Sequence, residues 1–223
     1  MVYQDTLTFL SGLAKNNNRS WFEEHREEYR AARENMLEVT ARLIDGLSEL
    51  DPSVRDSALD PAKCMMRINR DIRFSRDKTP YKANFFTFIN RDGKKSPFAG
   101  YYLHVKPGGE SFTGGGIYMP ESKVLQKIRE GIDRDFDTWR SLAEDKSLIR
   151  VFPEGVQASG MLKRPPRGWD HSNPAVDYLK YKGYYTQRFL SDKECMKEDF
   201  IGELLSTFRA AKPLVDFINK TIE

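Results

Sequence analysis

The chain has 223 residues, 39% of them apolar and 31% charged, and its 14 Phe, 10 Tyr and 3 Trp carry enough bulk for a core, which excludes disorder along its whole length. A net charge of +3 excludes a nucleic-acid protein recognisable by global charge alone. That sum hides a concentration: residues 63–82 hold seven Lys/Arg against two Asp (+5), residues 161–188 hold six against two (+4), and the remainder carries −6.

Leu7, Leu10 and Leu13 predict a short helix, stopped by the asparagines 16–18. Ser20-Trp21-Phe22-Glu23 has the capping-box pattern, in which Ser and Glu satisfy free amides at a helix start. Behind it Phe22, Tyr29, Met36, Leu43 and Leu50 recur every seven residues, with His25, Ala32 and Val39 on the adjoining line. One long amphipathic helix packed across a sheet is expected; a coiled coil is the alternative, weakened by His25 and Gly46. Residues 63–69 alternate, with Cys64, Met66 and Ile68 on one face. Residues 84–90 are β-rich, 91–94 form a hairpin turn, 101–106 are the next strand, and 107–109 turn into 111–113 and the glycines 114–116. This reads as an antiparallel meander.

Pro120 suits a helix start, followed by an apolar face of Val124, Leu125, Ile128 and Ile132. A second helix holds Phe136, Trp139 and Leu142. Residues 153–173 read as an ordered loop around a short strand near Leu162, 175–181 as helical and 184–190 as extended. Ser191 to Glu194 form another capping box, Phe200, Leu204, Leu205 and Phe208 the stripe of a C-terminal helix, and Pro213 the start of a last one. No repeat, low-complexity tract or linker interrupts the chain. The expected fold is therefore a single α+β domain over 1–223, an antiparallel sheet of about five strands packed by N- and C-terminal helices. Its parts are N-terminal helices at 5–50, a central sheet at 63–117, and a helical and basic-loop region at 120–223.

Cys64 and Cys195 lie far apart without a C-x-x-C, so they make no disulfide framework and fit a reducing compartment. The N-terminus shows no signal-peptide pattern, and no window approaches about 18 apolar residues. A cytoplasmic protein with no membrane partner is expected.

The densest polar cluster lies between residues 66 and 84: Arg67, Arg70, Asp71, Arg73, Phe74, Asp77, Lys78, Tyr81 and Lys82. Arginine presents a planar fork suited to carboxylate or phosphate, and lysine adds a point charge. One reading is an anion pocket; the other, weighted equally, is a salt-bridge network that fixes the loop. The ordered pattern R-x-x-R-D-x-R-F-x-x-D-K-x-x-Y, Arg67 to Tyr81, resembles the signature of a widespread bacterial family known as domain of unknown function 2461. The resemblance extends from Asn16-Asn17-x-Arg19-x-Trp21-Phe22 and Gly100-Tyr101-Tyr102-Leu103-His104 to Gly114-Gly115-Gly116-Ile117-Tyr118-Met119-Pro120 and Leu162-Lys163-Arg164-Pro165-Pro166-Arg167-Gly168. It implies a stand-alone protein of this size and carries over neither an activity nor catalytic residues.

The second basic cluster holds Lys163, Arg164, Arg167, Trp169, Asp170, His171 and Asn173, stiffened by Pro165-Pro166. Such a loop could close over a ligand held by the first cluster. The glycines 114–116 lack phosphate-loop spacing, so a bulge or close backbone packing is the better reading. His25 reads as a satisfied core or interface histidine, His104 as a general base near its free pKa of about 6.5 or a polar residue of a sheet face. No histidine spacing supports a metal, no serine nucleophile has its motif, and no cofactor is implied. The leading reading is a protein that binds a small anionic ligand, phosphorylated compounds included, with enzymatic activity left open. Arg67, Arg70, Arg73, Lys78, Lys82, Arg164 and Arg167 would bind the ligand, and Asp71, Tyr81 and His104 would move protons in any reaction. A partner-binding protein with a structural arginine network comes second, and a nucleic-acid module last.

Overall fold

The computed structural model describes residues 1–223. In chain order its elements are α1 (Gln4–Lys15), α2 (Arg19–Glu24), α3 (Arg26–Leu50), α4 (Pro52–Asp56), α5 (Pro61–Cys64), β1 (Phe85–Asn90), β2 (Gly100–Val105), β3 (Ser111–Ile117), α6 (Ser122–Arg134), α7 (Phe136–Ala143), α8 (Lys146–Val151), α9 (Val176–Leu179), β4 (Tyr184–Leu190), α10 (Asp192–Cys195) and α11 (Phe200–Ile222). The fold is α+β, with one antiparallel sheet in the order β1-β2-β3-β4. No helix is long and apolar enough to cross a membrane.

Three expectations are corrected. The sheet has four strands, because the alternating stretch 63–69 forms only two isolated bridges, Met65 to Thr87 and Asn69 to Tyr81. Three residues on one side of that ladder face five on the other, so the register slips and no regular strand forms. The long N-terminal helix is broken at His25. Its first piece is capped by Asn18, which accepts from the Trp21 amide at 3.0 Å, while Ser20 donates to Glu24 instead of closing a capping box. Pro213 starts no helix but lies inside α11. It withholds an N–H from the Arg209 carbonyl, yet the apolar face on both sides of it (Phe208, Ala211, Leu214, Ile218) stays buried and holds the helix together. The capping box at Ser191 and Glu194 forms as expected.

The chain divides into two compact units, each drawn from three segments. The first comprises Met1–Lys94, Tyr102–Thr113 and Phe189–Leu205. There α3 buries Met36, Val39, Leu43 and Leu47 and packs against α1 and α4. Burying a stripe of this kind removes several large apolar side chains from water, each worth about 1.5–3 kcal/mol. Gly46 is a clearance: a Cβ there would lie 2.3 Å from Leu205 Cδ1. Thr40 and Thr87 share a buried 3.1 Å hydrogen bond that ties α3 to β1.

The second unit comprises Lys95–Tyr101, Gly114–Arg188 and Ser206–Glu223. Its centre is Trp139, wholly buried, with ring contacts to Tyr178, Tyr184 and Phe217. Arg129 is buried beside them and donates to the Tyr181 carbonyl at 2.8 Å.

Candidate functional site

The signature residues fold as a ribbon against the first unit's core. The Met66 amide donates to the Phe86 carbonyl, that of Lys82 to Ile68 and that of Arg70 to Pro80, at 2.8–2.9 Å. These bonds align 66–70 with 80–86 and leave 71–79 as the tip. Tyr81 closes the base of the ribbon. It is buried and stacks on Phe22 at 4.0 Å, with rings 15° apart. Asn17 grips its backbone from both sides, accepting from the Tyr81 amide at 3.1 Å and donating to the Tyr81 carbonyl at 2.9 Å. The Asn17 to Phe22 motif and the signature's tyrosine are thus one structural joint, which their separation along the chain conceals. Asn17→Ala should cost about 1–3 kcal/mol, because it leaves two partly buried backbone groups unpaired; urea unfolding measures it.

At the tip the charges are paired. Arg70 reaches Asp77 and the Thr79 hydroxyl, and Asp77 also accepts from the Thr79 amide at 2.9 Å. The Thr79 amide, then Arg70, hold the Asp77 carboxyl down at about 2. Arg73 grips Asp71 through two bonds of 3.0 and 2.7 Å, which likewise lowers the Asp71 pKa. Lys78 donates to the Ile72 carbonyl at 3.0 Å. Phe74 projects from the tip, 95% exposed.

Along the ribbon a different arrangement holds. The Lys82 ammonium donates to the Arg67 carbonyl at 2.9 Å and that of Lys94 to the Met65 carbonyl at 2.6 Å. Two ammoniums thus bind carbonyls two residues apart on one stretch of chain, beside the Arg67 side chain. None of the three cations forms a salt bridge, although Asp71, gripped by Arg73, lies close enough to Arg67 for that charge to help lower its pKa. Burial, then the positive fields of Arg67 and Lys94, hold the Lys82 pKa below the ordinary lysine value. Lys94 escapes a reading of the sequence, where the hairpin turn accounts for it; its only signal there is a further cation close to the β-rich run.

His104, on β2, stacks on Phe112 at 4.3 Å, and its Nδ1 contacts the Glu110 carbonyl at 3.2 Å. Burial is the main cause that pushes its pKa down to about 4, so the ring is neutral at pH 7 rather than poised near its free value. As pH falls, the unfolded chain's imidazole takes a proton first, near 6.5, while the folded one resists until about 4. Stability present above pH 6.5 should therefore drain between pH 6.5 and 4. Discounted for partial exposure, wild type should lose about 1–2 kcal/mol more over that window than His104→Phe in parallel urea titrations.

In the second unit Trp169 and Asn173 anchor the basic loop to Asp133 of α6, at 2.8 and 2.5 Å. Lys163, Arg164, Arg167 and His171 remain exposed, and neither Arg164 nor Arg167 has an ion-pair partner. A cleft of about 760 Å³ in the same unit is lined by Arg134, Asp135, Leu142, Phe217 and Lys220 among others, and contains none of the candidate binding or proton-transfer residues. His25 is satisfied, stacked on Trp21 at 3.9 Å and bonded through Nδ1 to the Trp21 carbonyl at 2.8 Å. Cys64 and Cys195 are buried free thiols whose pKa burial pushes up to about 11.

No curated protein and no solved structure matches the chain. A family model described as a conserved hypothetical protein matches residues 5–217, nearly the whole length. The chain belongs to this family, domain of unknown function 2461.

Proposed function

We propose that the protein binds a small anionic ligand through Arg67, Lys82 and Lys94. The observation that carries this reading is the grouping of three cations on one ribbon, none of them in a salt bridge. Like charges brought together repel, and an anion placed between them relieves that cost and gains charge-assisted hydrogen bonds. The reading is one of binding. Each proton-transfer candidate is engaged elsewhere: Asp71 with Arg73, Tyr81 in the core, His104 on Phe112.

A second reading holds for the rest of the signature. Arg70 with Asp77, and Arg73 with Asp71, support a structural role in shaping the tip. Exposed pairs of this kind add little stability individually, so their value lies in fixing the loop's conformation. Arg164 and Arg167 enter neither reading.

The test is thermal unfolding at low ionic strength with inorganic phosphate. Phosphate should raise the wild-type Tm, and the triple variant Arg67→Met, Lys82→Met, Lys94→Met should lose that response. A wild-type Tm indifferent to phosphate and pyrophosphate, or a triple variant that still responds, contradicts the proposal.

A further inference from the structure

We infer that the anion held by Arg67, Lys82 and Lys94 is the phosphate of a free nucleotide whose base stacks on the aromatic face of the sheet; this rests on the anion-binding reading above.

Strand alternation separates two faces. Phe85, Thr87 and Ile89 of β1 point into the core and are buried, as is Tyr81 before them. Phe86 and Phe88 alternate with these within β1 and are only half buried. Within the first unit that face carries rings; Tyr102, in the middle of the row, is buried, while Phe86 and Phe112 are half buried. Phe86 lies 6.0 Å from Tyr102, Tyr102 6.0 Å from Phe112, and Phe112 6.1 Å from Phe189, a row that crosses all four strands within the first unit. Phe189 ends the row 65% exposed. His104 adds a fifth ring, and its lowered pKa keeps the row uncharged.

The cations stand at one end of this row. The Phe86 carbonyl accepts from the Met66 amide at 2.8 Å, and Arg67 is the next residue. A flat neutral ring over Phe86 and a phosphate at the cations is the ligand shape that this pairing of surfaces fits. The charge is confined to that end: beyond β2, Lys106 is already paired with Glu110. A polyanion would need cations repeated along its track. One phosphate-bearing molecule suits the arrangement; a nucleic-acid strand does not.

Calorimetric titration of the full chain with AMP, ribose 5-phosphate and an oligo(dT) octamer tests this. AMP should bind roughly tenfold more tightly than ribose 5-phosphate, the order expected for stacking one base on an aromatic ring. Phe86→Leu keeps an apolar side chain, and should erase that advantage while ribose 5-phosphate binds as before, which also reports that the variant is folded. Phe189→Leu, at the far exposed end of the row, should leave the advantage unchanged; losing it there instead of at Phe86 overturns the placement of the base. Equal affinities for AMP and ribose 5-phosphate overturn the stacking inference and leave the anion site standing. Binding of neither overturns both. An octamer that binds when AMP does not assigns the face to a strand and also overturns the inference.

Discussion

Gly116→Ala should destabilise the protein by at least about 3 kcal/mol, or prevent it from folding at all. Gly116 has φ +131°, and a Cβ built there would lie 2.3 Å from the Tyr184 carbonyl oxygen and 2.6 Å from the Tyr185 Cα. Both obstacles are backbone of β4, the neighbouring strand, so no rotamer change relieves the clash. The comparison residue is Gly108, which also has a positive φ of +86° but has nothing within 4 Å of a Cβ. Gly108→Ala should show only the left-handed backbone penalty of about 1–2 kcal/mol. Urea denaturation of both variants separates close approach from backbone strain. Equal losses contradict the close approach. The glycine run is thus a packing device between β3 and β4; Gly115, whose Cβ would meet that of Ala211 at 2.8 Å, does the same toward α11.

Tyr81→Ala should cost about 3–5 kcal/mol, whereas Tyr81→Phe should stay within about 1 kcal/mol of wild type. The ring is buried against Phe22, and it closes the joint that Asn17 secures. Removing the ring opens a cavity at the point where the signature ribbon leaves the core. The hydroxyl donates no hydrogen bond, so its loss is cheap. The pair also separates structure from chemistry. Tyr81→Phe should bind phosphate as wild type does. A phenylalanine variant that is fully stable but no longer binds phosphate would restore Tyr81 to the site.

Much of the fold is legible in the sequence because its signals are local. The heptad spacing of Tyr29, Met36 and Leu43, the turn at 91–94, and the Ser191 and Glu194 box each act within a few residues. The departures come where a distant partner decides. Residues 63–69 have strand alternation, but a bulged register against the stretch from Tyr81 to Thr87 reduces them to bridges. Pro213 reads as a helix start from its own chemistry, yet buried neighbours on both sides carry α11 through it. One departure is local: Asn18, accepting from the Trp21 amide, takes the cap that the Ser20 pattern suggests.

The site divides in the same way. The charged stretch is plain in the sequence, because seven basic residues in twenty stand out in any reading. Sorting those cations into paired and unpaired is not possible there. Arg70 finds Asp77 seven residues on and Arg73 finds Asp71 two residues back, whereas Arg67 and Lys82 form no salt bridge, and that difference depends on how the ribbon folds. Lys94 joins them only because β1 brings it back to Met65. The aromatic face is hidden for a related reason: Phe86, Tyr102, Phe112 and Phe189 lie on four separate strands, and only the sheet order aligns them.

The anion is proposed to sit on Arg67, Lys82 and Lys94, which form no salt bridge, and not on the paired tip. Isothermal titration with pyrophosphate at low salt tests this placement most directly, in two variants matched for charge removed. Lys82→Met should weaken binding about tenfold or more, the loss of roughly one charge-assisted contact. Arg73→Met, which removes a side chain already held by Asp71, should leave the affinity within about twofold. The reverse order, with Arg73→Met abolishing binding and Lys82→Met indifferent, would contradict the account.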